Sequence, residues 1–291
     1  DSFPLKVATG DMPPLAKFAA SPFGIVERFA EPDGVALLPV TVRKVEAALN
    51  TSVLTPASPP GATPGQVSAL QPRTDADILA WFLKVGRYDG FFASREQAAK
   101  DVKGPLPKVL DPDHKAYVQS RMVSLLAGHA GVRTLSMPKA VGSDPRPFEV
   151  VGIPLTPGFH VVEIASPLLG ATLLDTRHGN PRTMYVRTTA LVTNLAVHFK
   201  LGRENALAWV TTLDKGQPVA GARVQVSDCH GKALASGVTD ARGVASLQGL
   251  SPSPPACKTG PDDYRSAYFV SARATDAAGV EDLAFTFSDW T

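Results

Sequence analysis

Residues 184–247 read MYVRTTALVTNLAVHFKLGRENALAWVTTLDKGQPVAGARVQVSDCHGKALASGVTDARGVASL. Val192, Leu195, Val197 and Phe199 fill one apolar stretch, and Leu207, Trp209 and Val210 fill the next. Asp214-Lys215-Gly216 and Gly221 then punctuate the chain. Val224 and Val226 alternate with polar neighbours, and Thr239-Asp240-Ala241-Arg242-Gly243 turns it again. Short alternating strands at roughly 8–12-residue spacing, separated by turn residues, predict an antiparallel β-sandwich. Trp209, Val197, Phe199, Val224, Val226 and Phe269 are its expected core.

The wording is more specific than that class. The runs ALVTNLAV (190–197), AWVTTL (208–213), GQPVAGA (216–222) and TDARG (239–243) follow one another in this order. Together they resemble a macroglobulin-like (MG) domain of the bacterial α2-macroglobulins. The opening of the chain carries looser echoes of the same family, in Pro22-Phe23-Gly24 and in Leu38-Pro39-Val40-Thr41-Val42-Arg43. The expected fold is therefore all-β: two tandem antiparallel β-sandwich domains of the macroglobulin or immunoglobulin-like kind, 1–178 and 179–291. The polar run Asp175–Pro181 is the expected break between them.

At 291 residues the chain exceeds the usual size of one core, which favours two domains. Its 26 prolines and 24 glycines suit many turns better than long helices. A formal net charge of +2 gives no reason to expect a nucleic acid or an anionic membrane as partner. A chain that starts and stops in strand-like text reads as a piece of a larger polypeptide.

The first domain contains a stretch without periodicity. Asn50–Thr74 (NTSVLTPASPPGATPGQVSALQPRT) is dense in Pro, Gly, Ser and Thr, so Asn50, Pro59, Gly61 and Gly65 mark a candidate flexible loop. Helical text follows. Asp75 or Asp77 caps a segment holding Ile78, Leu79, Trp81, Phe82 and Val85, and Ser94 caps a second helix over Arg95–Val102. Residues of about 50–104 thus read as a loop and helical insertion. Strand text resumes at Tyr117–Leu126, Val132–Leu135, Phe148–Val151 and Phe159–Ile164, where Gly158 is expected to deliver Phe159 into the sandwich core.

The search for chemistry finds little. There is no nucleophile elbow, zinc-protease helix motif, phosphate-binding loop or Cys-x-x-Cys. Adjacent carboxylates at Asp262-Asp263 and Glu281-Asp282 point apart in extended chain and read as solvated turns. Thioester members of the family carry Cys-x-Glu-Gln. Ser94-Arg95-Glu96-Gln97 has the last two letters but an oxygen where sulfur is needed, so the match reads as coincidence. No catalytic residue, cofactor or metal is expected, and no enzymatic activity.

Cys229 and Cys257 are the two cysteines. They read either as reduced structural thiols or as one disulfide, and the bridge is the expectation carried forward. Closing the Pro-rich loop it spans would remove denatured-state entropy worth about 3.5 kcal/mol. It would also imply an oxidising compartment such as a periplasm.

The resemblance implies a scaffold piece of a large periplasmic protease inhibitor, often anchored to the inner membrane, that entraps proteases after a bait is cut. Its partners would be proteases, through the full-length protein, and neighbouring domains of the same polypeptide, with no nucleic acid and no membrane contact by this piece. The alternative is a pair of immunoglobulin-like adhesin or carbohydrate-binding domains, which fits the sandwiches but not the ordered series of motifs.

Overall fold

Alternation decides the strands. In Ala36–Arg43 the residues Ala36, Leu38, Val40 and Val42 are buried, while their neighbours are exposed or half-buried. That is the period of two of a pleated strand with one face on a core. The computed structural model describes residues 6–7, 13–28, 36–43, 65–108, 115–135, 149–174, 183–258 and 264–290.

The first unit runs β1 (Leu15–Phe18), β2 (Phe23–Glu27), β3 (Ala36–Arg43), β4 (Gln66–Leu70), α1 (Asp75–Arg87), β5 (Phe92–Ser94), α2 (Arg95–Asp101), β6 (Tyr117–Gln119), β7 (Arg133–Leu135), β8 (Glu149–Leu155), β9 (Gly158–Ser166), α3 (Pro167–Leu173) and β10 (Met184–Thr193). A three-stranded sheet, β1-β3-β8, faces a five-stranded sheet, β2-β10-β9-β4-β7. Phe18, Leu38, Val40 and Ile153 from the first sheet meet Val67, Val162, Ile164 and Val192 from the second in one apolar core. The family-like strands β2 and β3 therefore lie in opposite sheets.

The second unit runs β11 (Leu195–Leu201), β12 (Ala206–Thr212), β13 (Arg223–Ser227), β14 (Ala233–Val238), β15 (Val244–Leu247), β16 (Cys257–Lys258), β17 (Tyr264–Arg265), β18 (Phe269–Thr275) and β19 (Glu281–Phe287). Sheet β11-β12-β15 packs on sheet β14-β13-β18-β19. Val197, Ala208 and Val210 meet Val224, Val226, Val270 and Ala272 between them.

Several expectations are corrected. The second domain was placed from residue 179. Yet β10 pairs antiparallel with β9 and parallel with β2, inside the five-stranded sheet. The chain passes between the sandwiches at Asn194, in the middle of what reads as one apolar stretch. The expected break at Asp175–Pro181 lies outside the described residues, as do Asp262 and Asp263.

Asn50, Pro59 and Gly61 of the expected loop are likewise outside the described residues. Gly65, by contrast, is buried. Gln66–Leu70 is strand β4, paired on both edges, with Val67 and Ala69 in the core. Proline and glycine on its amino-terminal side dilute the alternation of QVSAL, which hides it in a composition window. The loop and helical insertion read over about 50–104 is therefore interrupted by a central strand. The helical part lies between β4 and β7, and α3 is a further helix that alternation alone does not reveal. Its signal is local: Ser166 accepts a hydrogen bond from the Leu169 amide, and Pro167 follows in the first turn.

Trp209 is the clearest error of register. Ala206, Ala208 and Val210 of β12 point inward, so Trp209 points out and is 47% exposed, beside the His198 ring at 5.4 Å. Small residues fill that side of the sandwich, and a bulky apolar residue is no proof of an inward face. Phe199 is only partly buried, and Phe269 is buried in a different core.

Candidate functional site: the interdomain seam

The third core belongs to neither sandwich. Strand β9 is buried on both faces: Val162 and Ile164 face the first sandwich, while Phe159 and Val161 face the other way. Strands β18 and β19 do the same in the second unit, sending Phe269, Leu283, Phe285 and Phe287 outward. Two sheets thus turn apolar outer faces toward one another. Such faces are stable in water only when covered.

Helix α1 fills the wedge. Thr74 caps it by accepting from the Asp77 amide. Asp75 and Asp77 stand in its first turn and Lys84 and Arg87 in its last, matching the helix dipole at both ends. The cap is therefore Thr74, one residue before Asp75 and three before Asp77, the two expected caps. Ile78, Leu79 and Val85 are buried, and Phe82 joins the aromatic cluster. The Phe82 ring lies 5.3 Å from Phe287 and 5.4 Å from Phe23, and Phe285 lies 5.3 Å from Phe23 and 5.9 Å from Phe159. These tilted and edge-on contacts join the first sandwich, the helix and the second sandwich. Phe159, expected in the sandwich core, works here instead.

Charged side chains fix the seam at its rims. Asp75, 4% exposed in its side chain, forms an ion pair with Arg273 of β18. Its carboxylate also accepts from Ser271 Oγ at 2.6 Å and from Gln225 Nε2 at 2.9 Å. Arg273 reaches the Arg73 carbonyl as well. At the other rim Arg28, just beyond β2, contacts Asp276 at 2.9 Å and Asp282 at 3.2 Å. Asp282 Oδ2 further accepts from the Asn194 amide at the crossover itself, at 2.9 Å. Asp282 is 3% exposed. It is a buried anchor of the junction, not the solvated turn residue that its sequence neighbourhood suggests.

A buried pair secures the insertion to the first sandwich. Glu163 and Arg187 stand directly opposite in the β9–β10 ladder, 3.4 Å apart, a Coulombic contact rather than an aligned hydrogen bond. Glu163 accepts from Ser124 Oγ at 2.6 Å and from the Leu125 amide at 2.9 Å, and Arg187 donates to the Ser120 and Val123 carbonyls. Burial pulls the Arg187 guanidinium below its ordinary value, and the Glu163 carboxylate opposes that pull. The strand-like text at Tyr117–Leu126 is thus a three-residue strand followed by a segment held by this pair.

The remaining residues singled out by sequence have local roles. Ser94 caps α2 through the Gln97 amide, and Glu96 pairs with Lys100 one turn on, at the exposed surface. Cys229 and Cys257 are joined, with Cα atoms 6.0 Å apart. That separation is within the range a disulfide spans. The His230 ring stands close enough that the three possible ligand atoms lie within 4.8 Å, but the bond between the sulfurs engages both. Among the described residues, no helix is long and apolar enough to cross a membrane.

Sequence reasoning missed the seam because its signal is relational. Continuous burial in β9 marks a strand covered on both faces, and that pattern was readable. Its partner on the far side was not.

Residues 192–291 match the family model described as the bacterial alpha-2-macroglobulin MG3 domain. No curated protein matches the chain. Among solved structures, native alpha-2-macroglobulin from Escherichia coli spanning domains NIE-MG1 is similar at 14% identity and a TM-score of 0.43, over 95% of this chain and 98% of that one. A longer fragment of the same protein, spanning MG0-NIE-MG1, is similar at 14% identity and a TM-score of 0.39, over 96% of this chain and 66% of that one. The domain names in those fragments differ from that of the matching model, and likenesses this remote add nothing to the fold described above. The match over the second sandwich begins two residues before the crossover at Asn194, and over residues 192–291 this chain is similar to the MG3 domain of the bacterial alpha-2-macroglobulins.

Proposed function

We propose that this chain is a non-enzymatic scaffold piece of a bacterial alpha-2-macroglobulin, a periplasmic inhibitor that entraps proteases once they cut a bait. The family match over residues 192–291 supports the reading. The observation that carries it is the seam: an aromatic core shared by both sandwiches and α1, closed at its rims by Asp75–Arg273 and Arg28–Asp282. A device that turns a local cut into a large rearrangement needs parts that move as rigid bodies. Two sandwiches locked through a common core form such a part. The role of the chain is then to hold neighbouring domains of its polypeptide in register, while proteases are engaged elsewhere in the full-length protein. That protein is anchored to the inner membrane in this reading.

The test incubates an excess of the chain with trypsin and follows cleavage of a large protein substrate and a small peptide substrate. Both rates are expected to stay unchanged. Stoichiometric loss of activity on the large substrate alone would mean that this piece traps unaided, and the scaffold reading would be wrong.

A further inference from the structure

Three elements of the second sandwich converge on the amino-terminal turn of α1. Gln225 of β13 and Ser271 and Arg273 of β18 hold the Asp75 carboxylate. The third element is the tight turn that follows β13, residues 228–232. There the Asp228 carboxylate accepts from the His230 and Lys232 amides, and the Asp228 amide donates to the Lys232 carbonyl. Gly231 sits at its tip with φ +80°, pressed on Ala76: a Cβ built on Gly231 would stand 2.7 Å from the Ala76 Cβ and 2.9 Å from its nitrogen. No side chain fits there, so glycine is required both by the backbone conformation and by the approach. Cys229 lies within this turn, and its partner Cys257 opens the β16–β17 ribbon 28 residues on.

We propose that the Cys229–Cys257 bond is a redox-sensitive clamp on the interdomain seam. It ties the turn that seats α1 to the β16–β17 ribbon, so that breaking it lets the turn lift from Ala76 and loosens α1 on the second sandwich while both sandwiches stay folded. The sandwich cores do not need the bond, since neither cysteine belongs to the apolar clusters between the sheets. The turn hangs from the paired ends of β13 and β14, and beyond that base its hydrogen bonds are internal, so the disulfide is the tie that joins its outer part to the ribbon. The step is thiol–disulfide exchange with a dithiol. The S–S bond breaks, each cysteine sulfur takes one proton and one electron, and the dithiol leaves as its own disulfide.

Hydrogen exchange on the whole chain tests this, comparing oxidised protein with protein reduced by dithiothreitol. Amides of residues 76–79 are expected to exchange roughly tenfold faster after reduction, with those of β13 and β18 unchanged. The double variant Cys229→Ser/Cys257→Ser should reproduce the pattern without reductant. Gly231→Ala should produce it with the bond intact, by forcing the turn off Ala76. Unchanged exchange at 76–79 in any of the three, or equal acceleration throughout the second sandwich, would overturn the proposal. So would two titratable thiols in unfolded, unreduced protein made in an oxidising compartment.

Discussion

Asp75 in the first turn of α1 and Arg273 in β18 form an ion pair between positions 198 residues apart, and the pair closes one rim of the seam between the two sandwiches. The carboxylate is buried and has three donors besides solvent; the guanidinium is about one-fifth exposed. Removing the cation would leave a buried charge with only Ser271 and Gln225 to hold it. Arg273→Ala is therefore expected to destabilise the protein by about 2–4 kcal/mol. The double change Arg273→Met with Asp75→Leu should cost less than the single one, because it removes both charges together. Urea titration of the two variants checks the order, and a single variant that costs no more than the double would contradict it.

The outward face of β12 gives a second contrast. Trp209 is 47% exposed and touches His198, whereas Phe285 is buried among Phe23, Phe159, Phe269 and Phe287. Trp209→Ala should cost less than about 1 kcal/mol. Phe285→Ala should cost about 3–5 kcal/mol, through the cavity it leaves in the seam. Equal costs would mean that β12 has the opposite register in solution.

Burial also makes His160 sensitive to acid. Its Nε2 donates to the Thr156 carbonyl at 2.7 Å, while Nδ1 is buried without a partner among the described residues. A proton added at Nδ1 would find no acceptor. Desolvation, with the positive charges of Arg133 and Arg73 nearby, pushes the ring down to about 4 against the partial help of Thr156. The unfolded chain takes up the proton near pH 6.5, and the folded chain only near pH 4. The neutral ring thus contributes stability that is present above pH 6.5 and is lost as pH falls through that window. Between pH 7 and pH 5 the loss should be about 2 kcal/mol. His160→Gln should show that much less change over the same interval. An identical pH dependence in the variant would remove His160 as the cause.

The strands of the second sandwich were legible because turn residues and alternation agree there: Gly216, Gly221 and Gly243 lie at turns, and Val224 and Val226 face inward. Legibility failed wherever a residue answers to something distant. Phe269 and Phe159 look like sandwich core but face the seam, and Asp282 looks solvated until Arg28 and the Asn194 amide arrive from the other sandwich. The break between the units was misplaced because Thr193-Asn194-Leu195 reads as one strand, while its two halves pair in different sheets. Helix α2 was legible by its Ser94 cap and α1 by its apolar spacing, although Thr74 caps it, while α3 and the layer the helices form were not read.

The shared core makes a last prediction. If two sandwiches merely followed one another, each would unfold with its own midpoint, as loosely joined domains do. Here Phe269, Leu283, Phe285 and Phe287 of the second unit bury their side chains against α1 and against Phe159, Val161 and Leu191 of the first. Losing either unit uncovers the apolar face of the other, so their stabilities are coupled. Urea unfolding should therefore appear as one transition, with Trp209 fluorescence, a reporter in the second unit, coinciding with the far-ultraviolet signal of the whole chain, once Trp81 and Trp290 are replaced by Phe. The second sandwich alone, residues 194–291, should expose a patch beyond the few hundred Å², to order of magnitude, that monomers tolerate. It should bind a hydrophobic dye or self-associate, and charged substitutions at Leu283 and Phe285 should restore a dye-free monomer. Two separated transitions in the whole chain, together with a soluble, dye-silent 194–291 fragment, would show that the seam is a contact between independent domains rather than a third core.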